Sequence, residues 1–398
     1  MKNNGITYPK GFKASGVACG LKKNGKKDLA LIFSDVNAVA AAVFTTNIVK
    51  GHSLQLSMEY INNDATRAMI INSGNANACT GESGLKNARE ITQTVSQYLG
   101  CSPEQILINS TGVIGVPLKM DYILPSIKKT VEALSYNGGI DAVEAIMTTD
   151  TFPKHVTCEF ELNGNQIKLG GMAKGSGMIH PNMATMIGVI TSDINISKEL
   201  LDKALKHVVN SSFNRISVDG DTSVCDMVAA IANGQAGNEK ITKENKDYLC
   251  FVENLQDVCA KLSRMIAMDG EGATKLIEIK IEGALTEQDA YNIVNAVAKS
   301  PLVKTAMFGE DANWGRILTA AGYSGANFDP DKIDIYIGDL IVCNKGSAVN
   351  FDEAKAKNIL MEKEINILIN LNQGIFEDRM WTCDFSYDYV KINGSYRT

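Results

Sequence analysis

Short β-branched runs bounded by turn residues alternate along this chain with stretches whose apolar residues repeat at helical spacing. That mixed order constrains the fold more than any other feature. Residues 13–19, 28–34, 39–45 and 68–72 read as strands, whereas Leu85, Ala88, Ile91, Val95 and Leu99 share one helical face. A strand over 105–109 runs into Ser110-Thr-Gly112, which puts that tripeptide at a strand end, where functional loops collect. Helices are expected over 117–134, with Pro117 at the first position, and over 139–147, 197–209, 222–232, 244–268 and 286–299. Asn163-Gly164 predicts a tight hairpin between strands 155–162 and 166–172. Later strands fall at 186–191, 332–343, 365–371 and 389–393, with a helix near 353–362. Adjacent hairpins in such a mixture favour layered α/β (α+β) packing over a parallel doubly wound sheet.

At 398 residues and 45% hydrophobic content the chain exceeds what one core usually supports, so two lobes are expected. A net charge of −6 offers no electrostatic footprint for nucleic acid or an anionic membrane. Its partners are expected to be small molecules. Lys22, Lys23, Lys26 and Lys27 form the one dense basic run and read as a solvated turn around Asn24-Gly25. The nine cysteines are odd in number, lack a C-x-x-C pair and sit among apolar neighbours, as reduced, buried thiols do. No basic-then-apolar leader and no apolar run of the ~18 residues that span a bilayer are present, so a cytoplasmic protein is expected. His52, His155, His180 and His207 have no metal-ligand spacing, and no metal is expected.

Lys174-Gly-Ser-Gly-Met-Ile-His-Pro-Asn-Met-Ala-Thr-Met186 sets a hydroxyl, that of Thr185, behind a Gly/Pro-rich turn. If the Ala184–Thr185 bond is cut, Thr185 carries both an attacking hydroxyl and an α-amine, titrating near ~7.7–8.0, that can serve as its base. The same residues also read as a strand entering after a turn. Lys174 precedes its second glycine and no Ser/Thr follows it directly, so the phosphate-loop pattern does not fit. Thr111 and Gly112 offer a hydroxyl and a backbone N–H for an oxyanion, or simply end a strand. Glu271, between Gly270 and Gly272, can aim a carboxylate into a cleft, as can its neighbour Asp269.

Six blocks occur in order: Ser110-Thr-Gly-Val-Ile-Gly115, Met147-Thr-Thr-Asp-Thr151, Gly170-Gly-Met-Ala-Lys-Gly-Ser-Gly-Met-Ile179, Met183-Ala-Thr-Met186, Asp269-Gly-Glu-Gly-Ala-Thr274 and Gly309-Glu-Asp-Ala-Asn-Trp-Gly-Arg316. With the closing Asn393-Gly-Ser-Tyr-Arg-Thr398, the chain resembles, end to end, the glutamate N-acetyltransferase / ornithine acetyltransferase family of arginine biosynthesis. The resemblance implies an Ntn-like layered sandwich of helices and mixed sheets, self-cleaved at Ala184–Thr185 into an α chain, 1–184, and a β chain, 185–398, in an α2β2 assembly. It implies Thr185 as the catalytic nucleophile, Thr111 and Gly112 as the oxyanion pair, and Thr148, Lys174, Thr185, Glu271, Asn393 and Thr398 as substrate-binding residues. Thr149 and Thr151 are near enough to Thr148 to leave that register open. The implied reaction is a ping-pong transfer of acetyl from N2-acetylornithine to glutamate with no cofactor. Some members also take acetyl-CoA as donor and others do not. The alternative reading is an N-terminal-nucleophile amidase or peptidase, which would pass its acyl group to water.

Overall fold

The computed structural model describes residues 4–180 and 186–395, so Ala184, Thr185 and Thr398 lie outside the described residues. Two compact units emerge, Met1–Asn214 with Asp221–Ile266, and Arg215–Gly220 with Ala267–Tyr396. Each is built on its own sheet, flanked by helices.

The chain runs through β1 (Phe12–Val17), β2 (Leu29–Phe44), α1 (His52–Tyr60), β3 (Thr66–Asn75), α2 (Glu82–Leu99), β4 (Ile106–Val113), α3 (Met120–Glu132) and α4 (Gly139–Ile146). It continues as β5 (Lys154–Leu162), β6 (Asn165–Lys174), β7 (Ile187–Ser192), α5 (Lys198–Asn210), β8 (Ile216–Ser217), β9 (Met227–Ala232) and α6 (Lys246–Met268). The first unit's eight strands run in the order β4-β3-β2-β9-β7-β6-β5, with β1 paired to β2. The first half of β2 pairs with β1 and β3 and its second half with β9, with a register shift between Phe33 and Ala38. Apolar residues from both halves, among them Phe12, Leu31, Ile70, Ile108, Met172, Val189 and Ala229, form one buried core. On α5 the Ser197 hydroxyl accepts from the Leu200 N–H, capping the helix, and Leu200, Leu201, Ala204, Leu205, Val208 and Val209 are buried. Full burial of each Leu or Val side chain contributes about 1.5–3 kcal/mol.

The second unit holds β10 (Leu276–Ala284), α7 (Glu287–Lys299), α8 (Pro301–Phe308), α9 (Trp314–Gly322), β11 (Asp334–Ile337), β12 (Leu340–Asn344), β13 (Ser347–Ala348), α10 (Glu353–Leu360), β14 (Glu364–Asn370), β15 (Phe376–Cys383) and α11 (Tyr387–Ser395). Its sheet runs β13-β12-β11-β14-β10-β15-β8, with α7 packed on β10 and β15.

The layered α/β packing is the one the sequence pattern implies, and several elements correct that pattern. The helix expected over 222–232 is instead strand β9 from Met227, all six residues buried and paired with β2 and β7. A central strand covered on both faces reads as an unbroken apolar run, without the alternation that would betray it. The strand expected over 389–393 is helical, part of α11. The strands expected over 28–34 and 39–45 are one strand, β2, and β4 continues through Thr111 and Gly112 instead of ending before them. Helix α3 begins at Met120, three residues beyond Pro117.

Candidate active site

In the first unit, strands β6 and β7 pair antiparallel with Lys174 opposite Ile187, so the segment carrying Ala184 and Thr185 joins the paired ends of those two strands. Around these ends lies a buried polar cluster. Asp150 Oδ1 accepts from Lys154 Nζ at 2.7 Å and from the Gly175 N–H at 2.7 Å, and Oδ2 accepts from the Thr148 N–H at 2.9 Å. Burial pushes the Asp150 carboxyl up, but the charges of Lys154 and Lys174 and these hydrogen bonds outweigh it and hold it at about 2. Lys174 is fully buried, and burial lowers its ammonium below the ordinary lysine range against the attraction of Asp150. Its Nζ reaches Thr111 Oγ1 at 3.5 Å.

Thr111 and Gly112 sit on β4 beside the close of β3. A side chain at Gly112, whose φ is +131°, would come within 2.4 Å of the Gly74 carbonyl carbon and 2.5 Å of the Asn75 nitrogen. Only glycine allows that approach. The preceding residues pin the strand: Ser110 Oγ donates to Asn72 Oδ1 at 2.6 Å and Asn109 Nδ2 to the Cys225 carbonyl at 3.0 Å.

Thr148 lines a cleft of about 370 Å3 with Lys22, Lys26, Lys27, Glu144 and Asp150; Thr149 and Thr151 are not in its wall. The basic run is therefore not a plain solvated turn. Lys22 is half-buried, its Nζ donates to the Lys27 carbonyl at 2.8 Å, and burial brings its ammonium down to about 8. Lys27 is paired with Glu144 at 2.8 Å and with Asp141.

Within the second unit, Glu271 is buried and its Oε2 accepts from Asn393 Nδ2 at 2.9 Å, so two residues 122 apart in sequence meet directly. Gly272, at φ +70°, lies so close to the Tyr389 backbone nitrogen that a Cβ would stand 2.5 Å from it. Asp384 secures the same loop by accepting from the Thr274 N–H at 2.7 Å and the Lys275 N–H at 2.9 Å. Asp269, the other carboxylate weighed from sequence, is buried as well.

Sequence reasoning missed Asp150, Lys154 and Asp226. Asp150 lies inside the quoted block Met147-Thr-Thr-Asp-Thr151, and Asp226 is a lone acid at the head of an apolar run, a signal masked by the helical reading of that run. Among the described residues no group of three or more His, Cys, Asp or Glu could hold a metal ion. All nine cysteines are unpaired, and no described helix is long and apolar enough to cross a membrane.

The chain matches the ArgJ family over residues 13–398. It is 52% identical over 397 residues to the arginine biosynthesis bifunctional protein ArgJ of Caldanaerobacter subterraneus subsp. tengcongensis, covering 99% of this chain and 98% of that protein. It is 50% identical to the protein of the same description from Symbiobacterium thermophilum, over 99% and 98% of the two chains. A crystal structure of ArgJ from Bacillus halodurans, 44% identical, aligns with a TM-score of 0.52 over 53% of this chain and 100% of that one. The protein is therefore an acetyl-transferring enzyme of arginine biosynthesis. It belongs to the ArgJ family.

Proposed function

We propose that the chain cuts itself between Ala184 and Thr185 and then moves acetyl from N2-acetylornithine to glutamate through an acetyl ester on Thr185. In the cut, Thr185 Oγ attacks the Ala184 carbonyl carbon, the C–N bond breaks with the hydroxyl proton ending on nitrogen, and water hydrolyses the resulting ester. Residues 1–184 and 185–398 then remain together as α and β chains, in an α2β2 assembly in the cytoplasm. In the B. halodurans structure the whole crystallised chain matches just over half of this one, which is the share residues 185–398 would make and supports the division.

In transfer, the Thr185 amine takes the hydroxyl proton as Oγ attacks the acetyl carbon, and Thr111 with the Gly112 N–H carries the oxyanion. Ornithine leaves, glutamate enters the same pocket, and its amine takes the acetyl group. The observation that carries this reading is the buried Lys154–Asp150–Lys174 array at the paired ends of β6 and β7. Two buried ammonium groups share one carboxylate that is ionised well below neutral pH, which leaves Lys174 short of a counter-ion. The α-carboxylate of an amino-acid substrate supplies it and restores the basicity that burial takes from Lys174. Thr148 contacts substrate from the cleft wall, and Glu271, Asn393 and Thr398 complete the binding set, with Glu271 opposite an ammonium of ornithine. Membership of the family favours this transferase over the hydrolase alternative, and the family's use of acetyl-CoA extends to this chain as a candidate second donor.

The test is the chain itself. Wild type should run as two fragments on a denaturing gel and Thr185→Ala as one; acetylornithine alone should add one acetyl mass to the 185–398 fragment. A Thr185→Ala variant cut like wild type, or a donor-treated fragment without added mass, would overturn the nucleophile assignment.

A further inference from the structure

Ornithine and glutamate share a pocket in the transfer proposed above, yet their side chains end in opposite charges. A carboxylate that suits ornithine, the role given to Glu271, repels the side-chain carboxylate of glutamate, so the acceptor needs a cation of its own. Lys22 is such a cation. It sits in the basic loop between β1 and β2, which the buried Asp28 holds in place by accepting from the N–H groups of Cys19 at 2.6 Å, Gly20 at 3.1 Å and Lys22 itself at 2.9 Å. Asp28 thus spends its oxygens on that loop and not on the Lys22 ammonium. Among the described residues, Lys22 Nζ donates to the carbonyls of Lys27, at 2.8 Å, and Ala145, at 3.4 Å, and to no carboxylate. Lys27 differs, because Glu144 and Asp141 of α4 already balance it. The Lys22 stem lies against β3: a Cβ at Gly74 would stand 3.4 Å from Lys22 Cγ, and Gly74 is paired with Gly112 of β4. Lys22 is therefore beside the strand end that carries Thr111 and Gly112, and it lines the same cleft as Thr148 and Asp150.

We infer that Lys22 binds the side-chain carboxylate of glutamate while Lys174 takes its α-carboxylate, so that one lysine of the basic loop selects a dicarboxylic amino acid as acetyl acceptor. This inference rests on the transfer reading above and adds the acceptor's second anchor. Donor and acceptor share Lys174 and differ in what meets the side chain. The half-buried setting gives the contact its worth: an ion pair in open water yields little, whereas a partly desolvated ammonium without a counter-ion gains when a carboxylate arrives. Burial brings Lys22 down to about 8, with repulsion from Lys174 and Lys26 and against the attraction of Asp28 and Asp150. The other charged groups of this cleft are Lys27 and the Glu144 and Asp141 carboxylates that balance it; Lys26 is exposed. A lysine lowered in this way is an ammonium below about pH 8 and loses its charge above it, so the preference for glutamate should weaken as pH rises through that value.

The test compares glutamate with glutamine as acceptors, because glutamine keeps the length and the reacting amine and lacks the side-chain charge. In the full chain, Lys22→Met should form the acetyl-enzyme from acetylornithine as wild type does. It should lose roughly 10- to 100-fold in kcat/KM for glutamate, the worth of one hydrogen bond to a charged group, with glutamine unchanged. A merely structural lysine would lower both acceptors and acetyl-enzyme formation together. An unchanged glutamate-to-glutamine ratio in Lys22→Met overturns the proposal. So does a variant that loses transfer from acetyl-CoA and keeps its preference for glutamate, which would make Lys22 a phosphate ligand instead. Should the variant fail to fold, the wild-type ratio measured across pH decides the matter, since titration of the attacking amine is common to both acceptors. That ratio should fall above about pH 8, and a ratio that does not fall overturns the proposal. A wild-type chain that takes no acetyl group from acetylornithine overturns the transfer reading and this inference together, whereas a working transferase with an unchanged ratio overturns this inference alone.

Discussion

Replacing Lys154 by Met tests whether the charge array at the end of β6 is a balanced unit. The side chains of Lys154 and Asp150 are both 0% exposed, and their atoms meet at 2.7 Å. Removing the ammonium leaves a buried carboxylate with two backbone N–H donors and the displaced charge of Lys174, a change that costs about 3–5 kcal/mol when a buried pair loses one partner. A second route gives a consistent lower bound. The fall of the Asp150 carboxyl from 3.8 to about 2 corresponds to roughly 2 kcal/mol of stability at neutral pH. Because this pKa is depressed on folding, that contribution is present above pH 3.8 and is lost as pH falls toward 2; in the Lys154→Met protein the contribution should be smaller, because the folded carboxyl is no longer held so far below 3.8. Asp150→Asn combined with Lys154→Met should cost less than the two single changes added together. Both tryptophans, Trp314 and Trp381, lie in the second unit, so indole fluorescence does not report the first. Hydrogen exchange over 154–162 and 165–174 is the appropriate probe, with indole fluorescence as a control that should not change. A Lys154→Met protein whose protection falls by less than about 1 kcal/mol, or a double variant whose loss equals the sum, would refute the balanced array.

Lys174→Ala should separate function from stability. It should lose about 2–5 kcal/mol of transfer free energy, read as kcat/KM for glutamate, while urea unfolding stays at or above wild type, since folding disfavours the Lys174 charge. Gly112→Ala forces a Cβ into the β3 backbone at positive φ and should destabilise by about 2–4 kcal/mol, read by urea unfolding. It should also lower kcat roughly 100-fold by displacing an oxyanion donor, and wild-type turnover in this variant would remove Gly112 from the site.

What the sequence made legible was local. Asn163 and Gly164 turn the β5–β6 hairpin with φ of 49° and 80°, because that signal acts between neighbouring residues. β9 was misread because a strand covered on both faces has no period, and α11 because Val390 and Ile392 are its sole aliphatic residues and their spacing imitates alternation. The site divides the same way. Lys174, Thr148 and Glu271 stand in quotable blocks, whereas the value of Asp150 lies in two lysines and of Asp226 in the Met186 N–H, 40 residues away, pairings that exist only after folding.

The order β2-β9-β7-β6 has a consequence for a chain cut before Thr185. β2 and β6 would belong to one product and β7 and β9 to the other, so a pair of strands from one product is inserted between strands of the other. Two ladders cross the division, β2 with β9 and β6 with β7, and six residue pairs bridge it in each. Parting the products would bare long apolar sheet edges on both, so dilution should not dissociate them. Neither half could complete this sheet by itself. Processing must then come after folding, and the two products are better regarded as one folding unit with a nick than as subunits that meet.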